Sequence, residues 1–499
     1  MLDVSSPPVT QPAEQRFGRL AAELVLAAAP AVVSLLVMYH WLGHTPRAYL
    51  PIVTDEVSYW HQIATFSKVG FGNGYYTYQE YTAPALSAYG AWGPGFPLLF
   101  GSLLAVVGVS YTTIVWLNLA TFTALAFGAL RVAGAGRWWI GGLLVTYTPL
   151  LLYLPTGMQE PLHLGLAVLL AVLFHRLLVA EPGSRRQPAI AVVTLIVLAS
   201  LLRSTWALLL VPAALLAGRG FKPVLGALVA AVGFIALFPL WAAPFPYGNT
   251  FKIQHAATLG DKVHLLAANV GRNVALLLQV RGSYYQVPIA QHYQLIVAVV
   301  AALAVAVTVR RVRAASVTVC LALIPAVLFV VVFYDVGPGV RVLAAHVLFA
   351  GVFAALLRPR WTRALPALLV VTNLLTLSWF KHDFVLFAGM DVRGNRSAIA
   401  AERAALGRYL HYDPSADRWC NTILLADGRG FTQTLAVPPG FGVGVDLNHR
   451  FPGPLRSAYV IATDVTLPML PSAGSHLVLV APTPQGGLYR NLDSPCFAT

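Results

Sequence analysis

Long apolar runs alternate with short polar segments along most of the chain. Runs of about 17 to 25 apolar residues are long enough to cross a hydrocarbon core of about 30 Å as helices, and by this criterion about eleven spans are predicted. They lie at 20–42, 111–131, 138–155, 162–180, 188–202, 205–218, 223–243, 291–309, 315–334, 340–357 and 364–380. The pattern predicts a mainly α, polytopic membrane helix bundle.

The composition supports a membrane protein. Of the 499 residues, 58% are hydrophobic and 10% are charged, against about 25% charged in an average soluble domain. The formal net charge of +14 could indicate a nucleic-acid partner, but the basic residues stand in short clusters between apolar runs. We therefore expect no nucleic acid and interpret the clusters as topology signals.

The basic clusters predict one orientation. If Arg16 and Arg19 are cytoplasmic, alternation of the spans places every later strong cluster on the same side, as the positive-inside rule requires. The clusters are Arg131 with Arg137, Arg185 with Arg186, Arg219 with Lys222, Arg310–Arg311–Arg313 and Arg358–Arg360–Arg363. The agreement requires that the run 94–108, about fifteen residues long, be re-entrant or interfacial rather than spanning.

This orientation gathers most carboxylates on the extracytoplasmic side, where two long loops, 43–95 and 244–290, are also predicted. Between residues 44 and 380, all acids except Glu181 fall on that side. The acids are Asp55, Glu56, Glu80, Glu160, Glu181, Asp261 and Asp335. We expect them to converge on one face of the membrane.

Two further segments differ from the spans. Residues 261–281 carry apolar positions at helical spacing and predict an amphipathic helix on the outer leaflet. From residue 381 the composition is that of a soluble protein, with a helical stretch and the short strand-like runs NTILLA, SAYVIAT and SHLVLVA between Gly and Pro turns. The predicted division is a transmembrane catalytic domain, 1–380, and a small extracytoplasmic α/β domain, 381–499.

Three cysteines exclude a disulfide-rich scaffold and show no metal-ligand spacing. Cys420 and Cys496 both fall in the C-terminal domain. The sequence leaves open whether they form a disulfide, which an oxidising compartment would allow.

Two adjacent carboxylates, Asp55 and Glu56, stand in the stretch PIVTDEVSYW just after the first predicted span. The structural alternative is that they stabilise the positive end of a helix dipole. An ionised group costs roughly 2.5 kcal/mol or more at the bilayer centre, so it needs a partner or a wet cavity. In a chain so poor in acids, the pair is the first candidate for catalysis.

The first outer loop is rich in aromatic residues, among them Tyr59, Tyr81 and Trp92. Tyr and Trp are enriched at membrane interfaces, and most of these rings fit that alternative. The others are candidates for stacking on a sugar ring.

Glu160 and His163 lie at i and i+3 near the outer end of a predicted helix, on one face. Carboxylates and imidazoles hold divalent cations such as Mg²⁺ or Mn²⁺, and Glu80 is a third candidate ligand. The alternative is a helix cap and an interface residue.

Several cations are also placed on the outer side, where the positive-inside rule makes them less expected. They are Arg203, Lys252, Arg272, Arg281 and Arg341. One interpretation is a phosphate site, since arginine offers a bidentate fork. Lipid headgroups, or pairing with Asp261 and Asp335, are the alternatives.

Five short motifs carry a resemblance to a known family. They are the pair Asp55–Glu56, the turn GAWGPGFPLLFG, the helix start GMQEPLHLGL, the short helix pair LLRSTWALLLVPAALL and the stretch DVGPGVRVLAAH. With the soluble C-terminal domain, they make the chain resemble the GT-C superfamily of membrane glycosyltransferases, especially the branch of protein O-mannosyltransferases and the lipid A aminoarabinose transferase.

The resemblance implies transfer of a sugar from a polyprenyl-phosphate donor to a glycan, lipid or protein hydroxyl outside the plasma (inner) membrane. Asp55 would be the general base, with Glu56 beside it, and Arg341, Arg281, Lys252 and Arg203 would be candidates for the donor phosphate. The chain departs from the aminoarabinose transferase branch, because its turn at 90–97 contains no cation. Metal dependence is left open, and a secondary transporter or a flippase of lipid-linked sugars is the alternative.

Overall fold

The computed structural model describes most of the chain. The described residues are 13–51, 54–71, 77–78, 93–218, 220–242, 256–278, 313–333, 340–357, 360–375, 377, 380–381, 392–426, 433–445, 455–470 and 476–497. Within them the protein is mainly helical, with a six-stranded sheet formed largely by the C-terminal region. This agrees with the predicted mainly α class and with the strand-like runs predicted near the C-terminus.

The helices of the described residues follow the apolar runs. Their bounds are α1 Ala13–Leu42, α2 Thr54–Val69, α3 Gly95–Val107, α4 Tyr111–Ala133, α5 Arg137–Thr146, α6 Thr148–Tyr153, α7 Glu160–Val179, α8 Arg186–Leu202, α9 Leu210–Ala217, α10 Phe221–Ala242, α11 Leu259–Leu278, α12 Arg313–Phe333, α13 Val340–Leu356, α14 Ala364–Leu375 and α15 Val392–Leu406. Shorter 3-10 turns connect several of them, including Ser204–Leu209 between α8 and α9.

Three of these helices are long and apolar enough to cross a membrane: Phe17–Leu42, Tyr111–Ala133 and Glu160–Val179. They coincide with the first, second and fourth predicted spans. Shorter apolar helices coincide with most of the others, whereas 291–309 lies outside the described residues. The number of crossings therefore stays a prediction.

The predicted span 138–155 is divided into α5 and α6. Pro149 stands in the first turn of α6 and lacks the N–H that a continuous helix would need. Asn373 of α14 accepts hydrogen bonds from the backbone N–H and the hydroxyl of Thr148, at 3.2 and 2.9 Å. A neighbouring helix thus accepts the hydrogen bonds of the polar groups of Thr148 at the break.

Helix α7 lies at the centre of the bundle, packed between α4 and α13. The α4 contact is close at Gly165, where an added Cβ would lie 2.8 Å from Leu125 Cδ1. Most of α7 is buried, including the polar residues of its first turn, Glu160 and His163. A buried polar helix start inside an apolar bundle needs polar partners, and these define the candidate site.

Helix α11 matches the predicted amphipathic segment but faces its neighbour in an unexpected way. Its Asn269 and Asn273 are buried and donate to the carbonyls of Val332 and Val331, at 3.1 and 2.7 Å. These carbonyls lie in the last turn of α12, where no intrahelical donor remains. Val263 and Val274, in contrast, are exposed, whereas Leu266 and Val270 are partly buried. The amides therefore face the bundle, and the two exposed valines are left for the lipid.

The sheet has strands β1 Thr77–Tyr78, β2 Thr422–Leu425, β3 Gly442–Val445, β4 Tyr459–Ala462, β5 Leu477–Thr483 and β6 Gly486–Asn491, in the order β1-β3-β2-β4-β6-β5. Strands β1, β3, β2 and β4 are parallel to one another, and β6 is antiparallel to β4 and to β5. Strands β2, β4 and β5 were predicted. Strand β3, with the sequence GVGV, was missed because glycine is depleted in strands.

The C-terminal unit, residues 392–497 within the described ranges, packs on helix α2. Leu50, Val57 and Trp60 share an apolar cluster with its side chains, and β1, from the segment that follows α2, extends its sheet. Cys420 and Cys496 form a disulfide, with their Cα atoms 5.0 Å apart. The predicted domain division at residue 380 stays a prediction, because this cluster crosses it.

Candidate active site

The acidic pair lies in the first turn of α2, where the positive end of the helix dipole stabilises carboxylates. The two side chains have different surroundings. Glu56 is buried, at 1% exposure, whereas Asp55 is partly exposed. Of the pair, Asp55 is therefore the carboxylate nearer to solvent.

Glu56 is held by neutral donors on two segments. The hydroxyl of Tyr49 donates to Glu56 Oε1, and the backbone N–H of Gly157 donates to the same oxygen at 2.8 Å. The Gly157 N–H also lies 2.7 Å from the Tyr49 oxygen. Burial, and then the charge of Glu56, raise the pKa of Tyr49 well above its usual value. Tyr49 therefore stays protonated and donates.

This contact fixes the turn that precedes α7. Asn118 of α4 donates to the carbonyls of Thr156 and Met158, both at 2.8 Å. On the other side, Gln159 donates to the hydroxyl of Tyr59 at 2.8 Å. The turn is thus held by α2 and by α4. The N-termini of α2 and α7, and with them the two acidic motifs, are brought together.

Glu160, the first residue of α7, forms a salt bridge with Arg203 across 3.0 Å between Oε1 and Nη2. The side chains are 2% and 4% exposed. Arg203 has an extended backbone between α8 and the following 3-10 turn, which directs the chain away from the helix axis. Its Nε and Nη1 have no hydrogen-bond partner among the described residues. The guanidinium therefore keeps unused donor capacity in a low-dielectric place.

Two histidines flank one indole next to this pair. Trp206 Nε1 donates to His163 Nδ1 at 3.0 Å, and the ring of His346 lies 5.0 Å from the Trp206 ring. His346 Nε2 is 3.3 Å from the hydroxyl of Thr205. These contacts link α7, the 3-10 turn and α13, and so fix the position of Arg203.

The described residues contain no group of three His, Cys, Asp or Glu side chains placed to hold a metal ion. Of the candidate ligands, Glu160 is paired with Arg203, and His163 Nδ1 accepts from Trp206. A guanidinium 3.0 Å from the carboxylate repels a second cation, so this arrangement does not fit a divalent cation. Glu80 lies outside the described residues, and metal dependence stays a prediction.

Only some of the other predicted site residues lie within the described ranges. Tyr81, Trp92, Lys252 and Arg281 lie outside the described residues, and so does the side chain of Arg341, although its backbone belongs to α13. Tyr59 is 1% exposed, and its ring packs on Phe96 with centroids 5.4 Å apart. In this structure Tyr59 supports Gln159, and sugar stacking by this ring stays a prediction.

The C-terminal unit also reaches the site. Arg396 of α15 donates to the carbonyls of Arg47 and Tyr49, at 2.8 and 3.2 Å. It thereby holds the segment that presents the Tyr49 hydroxyl to Glu56. Sequence patterns did not identify Arg396, Tyr49 or Gly157, since each contact joins residues far apart in the chain or depends on a backbone amide.

The same unit contacts α2 at two more places. His61 Nε2 donates to the carbonyl of Phe441 at 2.7 Å, and Gly440 N donates to Thr65 Oγ1 at 3.1 Å. Burial lowers the pKa of His61 to about 4; the bond to Phe441 opposes this shift and the charge of Arg403 adds to it. His61 is therefore neutral at pH 7.

No protein-family model and no curated protein sequence matches this chain. Among solved structures, ArnT from Cupriavidus metallidurans bound to undecaprenyl phosphate aligns with a TM-score of 0.53 and 12% identity, over 97% of this chain and 99% of that chain. The same protein in the apo state aligns with a TM-score of 0.41 and 14% identity, over 95% and 98%. The first alignment extends over nearly the whole of both chains, and so the protein shares the overall fold of that structure.

Proposed function

We propose that the protein is a membrane glycosyltransferase that moves a sugar from a polyprenyl-phosphate donor to an acceptor hydroxyl on the extracytoplasmic side. The shared fold supports the class, because the ArnT crystal structure was obtained with undecaprenyl phosphate bound. A fold alone hosts many functions, so the proposal depends on the residues at the N-termini of α2 and α7.

The observation that carries the proposal is the 2.8 Å hydrogen bond from Gly157 N to Glu56. Asp55 adjoins Glu56 in sequence, and Glu160, which holds Arg203, begins α7 directly after the Gly157 turn. The bond therefore brings the segment with a partly exposed carboxylate to the segment whose Glu160 holds the buried cation Arg203. Displacement of a phosphate by a hydroxyl uses a base and a cation of this kind.

In the proposed reaction Asp55 is the general base. It accepts the proton of the acceptor hydroxyl while the hydroxyl oxygen forms a bond to the anomeric carbon of the donor sugar. The bond between that carbon and the phosphate oxygen breaks, and its electron pair leaves with the polyprenyl phosphate. Glu56 is proposed as the neighbour that fixes the first turn of α2.

Arg203 is proposed to stabilise the leaving phosphate. Its Nε and Nη1 have no hydrogen-bond partner among the described residues, so their N–H groups can donate to a phosphate. Glu160 occupies the remaining nitrogen, Nη2, and fixes the direction of the fork. Lys252, Arg281 and Arg341 remain further proposed phosphate ligands.

The proposed location is the plasma (inner) membrane, with the site and the C-terminal unit outside the cytoplasm. The basic clusters of the sequence support this orientation. The disulfide between Cys420 and Cys496 supports it independently, since disulfides persist in oxidising compartments.

The test is a transfer assay with the purified protein in lipid nanodiscs. Undecaprenyl phosphate carrying a radiolabelled pentose or hexose is supplied, and labelled glycan, lipid and peptide acceptors are separated from the donor. Asp55→Asn removes the base and is expected to lower the transfer rate by about 10²- to 10⁴-fold. Binding of undecaprenyl phosphate, measured by native mass spectrometry, should stay within about twofold of wild type.

The matched control is Asp464→Asn, which removes an exposed carboxylate of the C-terminal unit and should retain wild-type transfer. Full activity of Asp55→Asn would remove the base assignment. If the wild type binds every donor and transfers none, but moves the lipid across proteoliposome membranes, the protein is a flippase instead.

A further inference from the structure

A second charged cluster lies far from the candidate site. Glu23 of α1, whose side chain is 1% exposed, is within 4.0 Å of guanidinium nitrogens from Arg19, Arg131 and Arg137. The distances are 2.8 Å to Arg19 Nε, 3.5 Å to Arg131 Nε and 3.2 Å to Arg137 Nη1. One buried carboxylate thus gathers arginines from α1, α4 and α5.

The cluster lies at the end of the bundle opposite to the acidic pair. Helix α1 continues for about 30 Å beyond Glu23 before it ends at Leu42, twelve residues ahead of the start of α2 at Thr54. Helix α4 likewise extends about 30 Å from Arg131 back to Tyr111, whose hydroxyl contacts the C-terminal unit. These two helix lengths are each about the thickness of a hydrocarbon core. The cluster therefore lies at the membrane interface opposite to the one at the acidic pair.

The arginines of the cluster exceed what Glu23 can neutralise. Three cations surround one carboxylate, and the Arg19 and Arg131 side chains are 41% and 50% exposed. Arg137 Nε is buried and has no hydrogen-bond partner among the described residues. The cluster therefore offers positive charge and unused N–H donors to an anion that approaches from the interface.

Aromatic residues beside the cluster fit a lipid surface. Trp138 and Trp139, next to Arg137 in the first turn of α5, are 60% and 41% exposed. The guanidinium of Arg363 lies 5.6 Å from the ring centroid of Trp139. Exposed tryptophans next to arginines are typical of the headgroup level of a bilayer, where a phosphate and the start of an acyl chain meet.

We propose that Arg19, Arg131 and Arg137, held by Glu23, form a binding site for the phosphodiester headgroup of an anionic phospholipid in the leaflet opposite to the candidate active site. The buried carboxylate fixes three guanidiniums from three helices, and the headgroup neutralises their surplus charge. The bound lipid links the ends of α1, α4 and α5.

The test uses the delipidated full-length protein and short-chain phosphatidylglycerol, titrated by native mass spectrometry. Phosphatidylcholine has the same phosphodiester without net charge, and inorganic phosphate has the charge without the lipid. The wild type should prefer phosphatidylglycerol to both. Arg131→Gln should weaken phosphatidylglycerol binding by about fivefold, the share of one interfacial arginine.

The matched control is Arg176→Gln, which removes an exposed arginine in the last turn of α7, outside the cluster. Its affinity for phosphatidylglycerol should be that of the wild type. Arg19→Gln repeats the test on a second helix, and a monodisperse elution profile shows that each variant is folded. The proposal would be overturned if the wild type bound the two phospholipids equally, or if it bound inorganic phosphate as tightly as phosphatidylglycerol. It would also be overturned if Arg131→Gln and Arg176→Gln lost the same affinity for phosphatidylglycerol.

Discussion

Glu160 and Glu23 are both buried glutamates paired with arginine, but they lie at opposite ends of the bundle and in different surroundings. Glu160 pairs with Arg203, and neither side chain is more than 4% exposed. Glu23 faces three arginines, whose side chains are 22% to 50% exposed. One end holds a closed pair inside protein, and the other presents cations to the interface.

This difference shows what each end is suited to do. At the Glu160 end, the Tyr49 hydroxyl and the Gly157 N–H hold the carboxylate of α2, and one buried arginine holds the carboxylate of α7. Fixed donors and acceptors in a low-dielectric site are what a reaction centre requires. At the Glu23 end, partly exposed guanidiniums can exchange water for a headgroup, which is what a lipid site requires.

The largest expected difference comes from removing one arginine at each end. Arg203→Leu leaves the Glu160 carboxylate buried without its cation and should lower the free energy of unfolding by about 3–5 kcal/mol. Arg131→Leu removes a half-exposed partner of Glu23 and should cost about 1 kcal/mol or less. Unfolding in increasing denaturant, followed by tryptophan fluorescence, measures both.

The double variant Glu160→Gln/Arg203→Leu controls for the buried charge. It should recover most of the stability lost in Arg203→Leu, since the uncompensated carboxylate is gone. Equal losses in Arg203→Leu and Arg131→Leu would contradict the distinction between the two ends.

The second prediction concerns the unit that covers only the Glu160 end. Cys496→Ser opens the disulfide with Cys420, which closes a loop with a sequence separation of 76 residues. The free energy of unfolding of the C-terminal unit should fall by about 2–5 kcal/mol. Limited proteolysis at increasing temperature measures the loss, and Cys320→Ser, at the free cysteine of α12, serves as the control. A wild-type cleavage profile for Cys496→Ser would contradict the prediction.

The third prediction is a pH dependence confined to the C-terminal unit and α2. Folding lowers the pKa of His61 from 6.5 to about 4, so the unfolded or undocked chain binds a proton that the docked chain does not. The free energy of docking the C-terminal unit on α2 is therefore most favourable above pH 6.5. It weakens as the pH falls towards 4, by about 3 kcal/mol in total. Hydrogen exchange of α2 amides at several pH values measures the change.

His61→Gln keeps a side-chain N–H that can donate to the carbonyl of Phe441 but does not titrate. In this variant, exchange of the α2 amides, corrected for intrinsic rates, should no longer change in that pH range. An unaltered pH dependence would show that another group is responsible.

The smallest expected effect comes from Arg396, which acts on the site through the segment at Tyr49. Arg396→Ala loses two hydrogen bonds to backbone carbonyls and should lower kcat by about threefold to tenfold. The KM for the donor should not change, because Arg396 is proposed to position Tyr49 and not to bind the donor. Arg396→Lys should restore part of the rate, and Arg408→Ala, at an exposed arginine of the same unit, is the control. A raised KM with unchanged kcat would contradict this role.

Much of the fold followed from sequence patterns, because apolar length and helical periodicity are local properties. The helices at the first, second and fourth predicted spans, the helix at the amphipathic segment and the strands β2, β4 and β5 are examples. The break before Pro149 was also visible in the sequence, although it was assigned to a continuous span. The number of crossings was not obtained, since several apolar helices are shorter than a membrane is thick.

The candidate site was predicted only in part. The pair Asp55–Glu56 and the helix start at Glu160 were recognised as acids in an apolar chain. Their partners were not, since Gly157 acts through its backbone N–H and Tyr49 through one hydroxyl, and neither group has a periodic signature. Arg203 was selected as a phosphate ligand, but its pairing with Glu160 depends on the packing of α7 against α8.

An experimental structure with undecaprenyl phosphate bound, determined by cryo-electron microscopy in nanodiscs, tests the central claim most directly. The claim is that Asp55 and Arg203 belong to one reaction site because Gly157 joins α2 to the start of α7. We predict that the phosphate lies within hydrogen-bonding distance of Arg203 Nε or Nη1, with Asp55 facing the same space. A phosphate bound elsewhere, with α2 separated from the Gly157 turn, would contradict it.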